Sequence, residues 1–134
     1  MYKTQLLPQS KQYANAITMK LQIQDDMTVA ALQAEFNAMF PFLKLEVKSE
    51  LAKAGVHKST LLRYCRRVHT NGEFEVLPQE PLVEFIARLK QEFDLHVEVF
   101  RNCGKLWIAT TLSNAWTLER QNNEGFEINS YMND

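Results

Sequence analysis

The feature that most constrains the fold is a strand–helix–strand pattern that the chain carries twice, over Leu21–Lys48 and Phe74–Arg101. Each copy opens with alternating apolar and polar residues, continues with apolar residues at helical spacing, and closes with a second alternating stretch. A shift of 53 residues places Leu82 on Val29 and Phe85 on Leu32. The sequence therefore predicts an internal duplication of a β-α-β unit.

Local signals set the expected limits of the elements in the first copy. The residues Ile17, Met19, Leu21 and Ile23 alternate with polar ones, which indicates a half-buried strand. Thr28 is a good helix start because its hydroxyl can accept from the free amides of the first turn. Pro41 ends the helix, since proline cannot continue the hydrogen-bond ladder. A second strand follows over Leu43–Lys48.

The same signals predict the elements of the second copy and the residues after it. We expect a strand from Glu73 to Leu77, a helix from Pro81 to Phe93, and a strand from His96 to Arg101. A turn at Cys103-Gly104 would lead into a fifth strand, Lys105 to Thr111. A short last helix is expected from about Ala115 to Asn122, with Gly125 as its stop.

These elements predict an α+β fold of the ferredoxin-like, split β-α-β kind. In that arrangement a strand of one unit fills the gap between the two parallel strands of the other unit. The result is one antiparallel sheet of about five strands, with two helices on one face and a short C-terminal helix. The core side of the sheet would carry Leu21, Ile23, Leu45, Val47, Phe74, Val76, Val97, Val99, Leu106 and Ile108.

Length and composition fit one globular domain over residues 1–134. The apolar fraction is 46% and the charged fraction 23%, both ordinary for a globular protein. We divide the chain into a loose segment 1–16, the first unit 21–48, a basic connection 49–72, the second unit 73–101 and a hairpin with the last helix, 102–125. No secretory signal or membrane span is expected, and two lone cysteines favour a reducing compartment, hence the cytoplasm.

The C-terminal third carries a distinctive series of residues. Val97-Glu98-Val99-Phe100-Arg101 is followed by Gly104, Trp107, Thr110-Thr111 and the run Trp116-Thr117-Leu118-Glu119-Arg120-Gln121-Asn122. This series resembles the signature VxVFRxSGxxW…WTLExQN of a group of small uncharacterised bacterial proteins with a duplicated β-α-β unit. Cys103 stands where that group has serine. The resemblance implies the duplicated fold and a bacterial cytoplasmic origin, and it implies no activity, cofactor or partner.

Aromatic residues near the fifth strand make the first candidate site. Phe100 and Trp107 would face each other across a hairpin that turns at Cys103-Gly104, on an otherwise polar sheet face. Such a pair stabilises a hairpin and can also be a docking point. In the alternative, Trp116 and Leu118 of the last helix fold over the pair and cover it. The candidate interaction surface comprises Phe100, Arg101, Trp107 and Trp116.

The basic connection makes the second candidate site. Residues 48–69 contain six bases and one acid, a net charge of +5, whereas residues from Glu73 onward carry −6. Within it, residues 51–67 resemble a helix-turn-helix segment, which would place a basic helix against DNA. The candidate phosphate contacts are Lys58, Arg63, Arg66 and Arg67.

Motifs for catalysis are missing from the sequence. There is no G-x-S-x-G and no glycine-rich phosphate loop, and the chain has only four glycines. A metal site from His57, Cys65 and His69 lacks paired ligand spacing, and Cys103 at a hairpin tip lacks a pocket. We therefore predict no catalytic residue, metal or cofactor. The leading hypothesis is a non-catalytic protein-interaction module, with a homodimer as one form, and DNA binding is the alternative.

Overall fold

The structure is a computed structural model that describes residues 19–132. The segment 1–16 and Ile17, which we predicted to be a loose tail and a strand residue, lie outside the described residues. The described chain forms five strands and three α-helices. In chain order these are β1 (Met19–Ile23), α1 (Val29–Met39), β2 (Leu43–Lys48), β3 (Gly72–Val76), α2 (Leu82–Phe93), β4 (His96–Cys103), β5 (Leu106–Ala109) and α3 (Leu118–Met132).

The two helices of the repeated pattern begin and end close to the predicted residues. Thr28 caps α1, and its side-chain oxygen accepts a hydrogen bond from the Ala31 amide at 3.1 Å. Pro41 follows α1 and prevents its continuation. Pro81 precedes the first residue of α2, and Asp94 ends that helix in the left-handed conformation with φ of 51°.

The strands form two antiparallel sheets, so the prediction of a single five-stranded sheet is wrong. Strand β1 pairs with β3 in one sheet, and the order β2–β4–β5 makes the other. Each strand of the first unit thus pairs with its counterpart in the second unit. Because β4 is occupied by β2 on one side and by β5 on the other, β3 has no position beside it. The ferredoxin-like strand order therefore does not form in the described chain.

One cluster of buried apolar side chains joins both sheets and both helices of the repeated pattern. Phe36 of α1 lies 5.5 Å, ring centre to ring centre, from Phe85 of α2, and Phe85 also contacts Phe74 of β3 at 5.7 Å. Leu45 and Val99 of the three-stranded sheet belong to the same cluster. At about 1.5–3 kcal/mol for each fully buried side chain, this cluster dominates the stability of the fold.

The two units also repeat a set of backbone hydrogen bonds at their helix starts. In each unit the first amides of the helix donate to carbonyls of a segment that follows the second strand, and a buried leucine of that segment donates back. The bonds are Val29 to Thr60, Ala30 to Lys58 and Leu62 to Met27 in the first unit, and Leu82 to Trp116, Val83 to Asn114 and Leu118 to Glu80 in the second. Residues 58–63 of the connection therefore play the same backbone role as residues 114–119.

Two predicted helices differ from the observed ones. The connection contains only a short 3₁₀ turn, Leu62–Tyr64, where the helix-turn-helix resemblance of residues 51–67 predicted a basic helix. The last helix has 15 residues and continues through Gly125, so it is neither short nor stopped there. A Cβ on Gly125 would lie 2.7 Å from the Cβ of Phe42, which explains why the helix needs glycine at this close approach.

Candidate functional site

The outer face of the three-stranded sheet carries the aromatic pair Phe100 and Trp107. Phe100 lies opposite Ala109 and Trp107 lies opposite Asn102, so the two rings are diagonal neighbours on one face. The prediction that they face each other directly is wrong because the turn is formed by Gly104 and Lys105, one residue later than expected. Gly104 adopts a left-handed φ of 71°, which glycine tolerates without steric cost.

Lys44 of β2 completes this aromatic surface and is an addition to the four predicted interaction residues. Its Nζ atom lies 5.6 Å from the ring centre of Phe100 and 5.1 Å from that of Trp107. The same atom forms an ion pair at 3.2 Å with a carboxylate oxygen of Glu46. An ammonium over two ring faces is an attractive cation–π arrangement, worth about 0.5–1 kcal/mol at an exposed site. Lys44 therefore contacts both rings and joins them into one cluster on an accessible face.

Strand β5 is an edge of this sheet within residues 19–132, because its one described partner is β4. Leu106 is 68% exposed and Trp107 is 37% exposed on this strand. Leu112, just beyond the strand, is fully exposed. An edge strand presents unpaired backbone amides and carbonyls that can pair with another strand. Apolar side chains at such an edge add an energetic reason for association.

Arg101 and Trp116, the other two members of the candidate interaction surface, lie on the opposite side of β4. Successive side chains of a strand point to opposite faces, so Arg101 cannot share the face of Phe100. The Arg101 guanidinium stacks on the Trp116 ring at 5.4 Å, and Arg120 stacks on the same ring at 3.8 Å. Leu118 is fully buried in the core. The predicted cover of Phe100 and Trp107 by Trp116 and Leu118 is therefore wrong.

The basic residues of the connection separate into one buried arginine and three exposed cations. Arg66 is 2% exposed, and its guanidinium donates to Asp25 Oδ1, to the Thr70 carbonyl and, at 3.0 Å, to the Phe93 carbonyl. It cannot contact a phosphate. Lys58, Arg63 and Arg67 are exposed. Because residues 51–67 form no α-helix, the helix-turn-helix arrangement that we predicted for them is wrong.

The Asp25 carboxylate is the shared acceptor of the contacts that anchor Arg66 to the start of α1. Its oxygens accept from Arg66 and from His69 Nδ1, the latter at 3.1 Å. Partial burial alone would raise the pKa of Asp25, but the hydrogen bonds from His69 and Arg66 outweigh it and hold that pKa below its ordinary value. The anchor is therefore a structural link between the start of α1 and the connection.

The residues that we considered for metal binding are engaged elsewhere. His69 contacts Asp25, and His57 Nε2 lies 3.1 Å from the Ala54 carbonyl oxygen. Burial raises the pKa of the Cys65 thiol. Over residues 19–132, no group of three or more histidine, cysteine, aspartate or glutamate side chains is arranged to hold a metal ion. Within the same range no helix has the length and apolar character needed to span a bilayer.

No family model matches the chain, and neither a curated protein nor a solved structure is significantly similar to it. The resemblance to the VxVFRx(S/C)GxxW…WTLExQN group stays a prediction. The surfaces described above are thus the grounds on which a function can be proposed.

Proposed function

We propose that this protein is a non-catalytic protein-interaction module that associates with a second copy of itself through the free edge of β5. The observation that carries the proposal is that, within residues 19–132, β5 pairs with a strand on one side alone and exposes the side chains of Leu106 and Trp107. Main-chain groups of an edge supply hydrogen bonds, and the apolar side chains supply buried area. The aromatic face held by Lys44 lies directly beside this edge.

A second copy related by a two-fold axis would present its β5 strand antiparallel to this one. Two copies related by a two-fold axis would bring β5 against β5, and each surface would meet its own equivalent. The sheet β2–β4–β5 would then continue into the partner as six strands. Trp107 of each copy would lie on the same outer face, near the joint.

The repeated backbone pattern gives a further reason to choose a second copy as the partner. We infer an internal duplication in which the units run from β1 to Arg63 and from β3 to Glu119, longer than the units read from the sequence. Within one chain, the equivalent strands β2 and β4 already pair antiparallel. Association through β5 would repeat this mode of pairing between chains.

Light scattering after size exclusion tests the proposal. At high protein concentration we expect about twice the chain mass of 15.6 kDa. Leu106→Lys and Trp107→Lys place a charge at the joint and should return the protein to monomer. Val68→Lys is the matched control, because Val68 is an exposed apolar residue of the connection, 56% exposed, and lies outside β5. A wild-type monomer at millimolar concentration, or a dimer unaffected by both β5 variants, would refute self-association.

Nucleic-acid binding is the second candidate, and three exposed cations of the connection support it. Lys58, Arg63 and Arg67 are free of ion pairs among the described residues. A contact with phosphates would be independent of sequence and would weaken steeply with salt. A gel shift with long duplex DNA at low salt decides the matter, with Arg63→Ala and Arg67→Ala together as the variant. Absence of a shift for the wild-type protein eliminates this candidate.

A further inference from the structure

A cleft of about 590 Å³ lies between the end of β2, the connection, α2 and the start of β4. Pockets that hold small organic molecules in proteins have volumes of about 300–1,000 Å³. The cleft lies beside the first residues of β4, whereas the turn into β5 follows the last residues of β4. The cleft and the β5 edge are therefore at opposite ends of that strand. The cleft is thus a separate candidate for binding.

Four apolar side chains line the cleft, beside the buried Arg66, whose guanidinium is hydrogen-bonded to Asp25 and to backbone carbonyls. Ile86 of α2 and Val97 of β4 line it, and both pack against the buried core. Cys65 lines the same region and is 3% exposed, with a thiol whose pKa burial raises, so it is a small neutral group at ordinary pH. Leu51 of the connection adds a further aliphatic side chain. A ligand body made of carbon and hydrogen would find complementary contacts here.

The rim of the cleft is basic. Lys48, Arg67 and Lys90 come from three different segments and line the same opening. None of the three forms an ion pair with an acidic side chain of residues 19–132. Three cations that line one opening and form no ion pair repel one another and attract an anion.

Two acidic side chains, Asp94 and Glu50, also line the cleft, so Lys48, Arg67 and Lys90 outnumber the acids by one. One carboxylate oxygen of Asp94 accepts from the Arg67 and Val68 amides at 2.8 and 3.0 Å, and its other oxygen lies 3.5 Å from His96 Nε2. Those backbone hydrogen bonds, of Val68 first and then Arg67, hold the pKa of Asp94 below its ordinary value. Asp94 thus closes the end of α2 onto the connection and fixes the position of Arg67.

We infer that this cleft binds a small organic carboxylate whose apolar body occupies the interior and whose carboxylate meets Lys48, Arg67 and Lys90. A compact inorganic anion would leave the interior unfilled. A neutral apolar molecule would leave the three cations without a partner. An amphiphilic carboxylate uses both parts of the cleft, and lysine and arginine donate strong charge-assisted hydrogen bonds to it.

Isothermal titration with octanoate tests this site. We expect saturable binding of one octanoate per chain. Octan-1-ol, which has the same apolar body without the charge, should bind at least about fivefold more weakly. Octylammonium, which carries the opposite charge, should not bind measurably. Because the cations are exposed, the affinity for octanoate should fall as salt is raised.

Variants of the rim locate the binding. Lys48→Met and Lys90→Met should each weaken octanoate binding about threefold, and together about tenfold. Lys58→Met is the matched control, because Lys58 is exposed on the connection and does not line the cleft. Circular dichroism verifies that each variant is folded. The methyl resonances of Ile86 and Val97 should shift on titration of the wild-type protein.

Three outcomes would overturn the inference. These are no saturable octanoate binding by the wild-type protein, equal affinity for octanoate and octan-1-ol, and an equal effect of the control and the rim variants. Trp107→Lys separates this site from the β5 edge, because it should abolish self-association and leave octanoate affinity unchanged. Loss of octanoate binding in that variant would also contradict the separate location of the cleft.

Discussion

Arg66 shows how a single buried cation can be compatible with a folded core. Its guanidinium is almost fully buried, and its N–H groups donate to four acceptors: the Asp25 carboxylate, the Thr70 and Phe93 carbonyls, and the Asn71 side chain. A lysine ammonium could not reach this set of acceptors in one plane. Arg66 therefore ties the connection to the start of α1 and to the end of α2.

Replacing this side chain should have a large effect on stability. Arg66→Ala leaves the acceptors of the guanidinium without their donor, and we expect the free energy of unfolding to fall by about 3 kcal/mol. Urea denaturation followed by circular dichroism measures it. The neighbouring Arg67→Ala serves as control, because that side chain is exposed, and should change stability by less than about 0.5 kcal/mol. Equal effects of the two substitutions would contradict the anchoring role.

At the scale of elements, local sequence signals were sufficient to predict three of the helices and strands. The limits of α1, β2 and α2 follow from Thr28, from alternation and from proline, and the structure agrees with them to within one or two residues. The connection was different. Carbonyls of Lys58 and Thr60 accept from the first amides of α1, so this stretch is held in a non-helical conformation by a tertiary partner that local propensity does not encode.

Gly125 illustrates the same limit in α3. A glycine after a helical pattern is a common stop, which is why the sequence predicted an end there. In the structure it lies in the middle of α3 and permits a backbone approach to Phe42 and Arg101 that any Cβ would obstruct. The packing requirement is visible only once the partner surface is known.

A substitution at this glycine separates intrinsic helix propensity from packing. In an exposed helix Gly→Ala stabilises by about 1 kcal/mol. At Gly125 the new Cβ would lie 2.7 Å from Phe42 Cβ, so we expect overpacking to prevail and Gly125→Ala to destabilise by about 1–2 kcal/mol net. Thermal or urea unfolding measures it. Asn123→Ala, at an exposed position of the same helix, should be neutral or slightly stabilising. A stabilised Gly125→Ala variant would show that α3 does not pack as described.

For the whole molecule, the strand order could not be obtained from the sequence. Alternation assigns faces to each strand but does not say which edges meet, and that choice depends on contacts distant in the chain. The predicted interaction surface was likewise only partly obtained from the sequence. Phe100 and Trp107 were identified because they interrupt a polar face, whereas Lys44 became a member only through the pairing of β2 with β4. Arg101 and Trp116, the other predicted members, belong to the opposite side of β4.

The pairing of each strand with its counterpart means that neither unit has a sheet of its own. Both sheets contain strands of both units, and Phe36 of the first unit packs on Phe85 of the second within one core. Unfolding of one unit would therefore expose the edges and the core face of the other. We expect the described part of the chain to unfold as one cooperative transition.

A substitution in the first unit, observed from the second, tests this cooperativity. Phe36 is fully buried, and Phe36→Ala should lower the free energy of unfolding by about 3–5 kcal/mol. Both tryptophans, Trp107 and Trp116, lie in the second half, so their fluorescence reports on the other unit. In urea, the fluorescence transition of the variant should shift to lower concentration together with the circular dichroism transition of the whole chain. If the fluorescence midpoint stayed at its wild-type value while circular dichroism showed an earlier loss of structure, the units would fold independently. The shared core would then not be the source of stability, because a cavity in α1 would have no effect on the strands that carry the tryptophans.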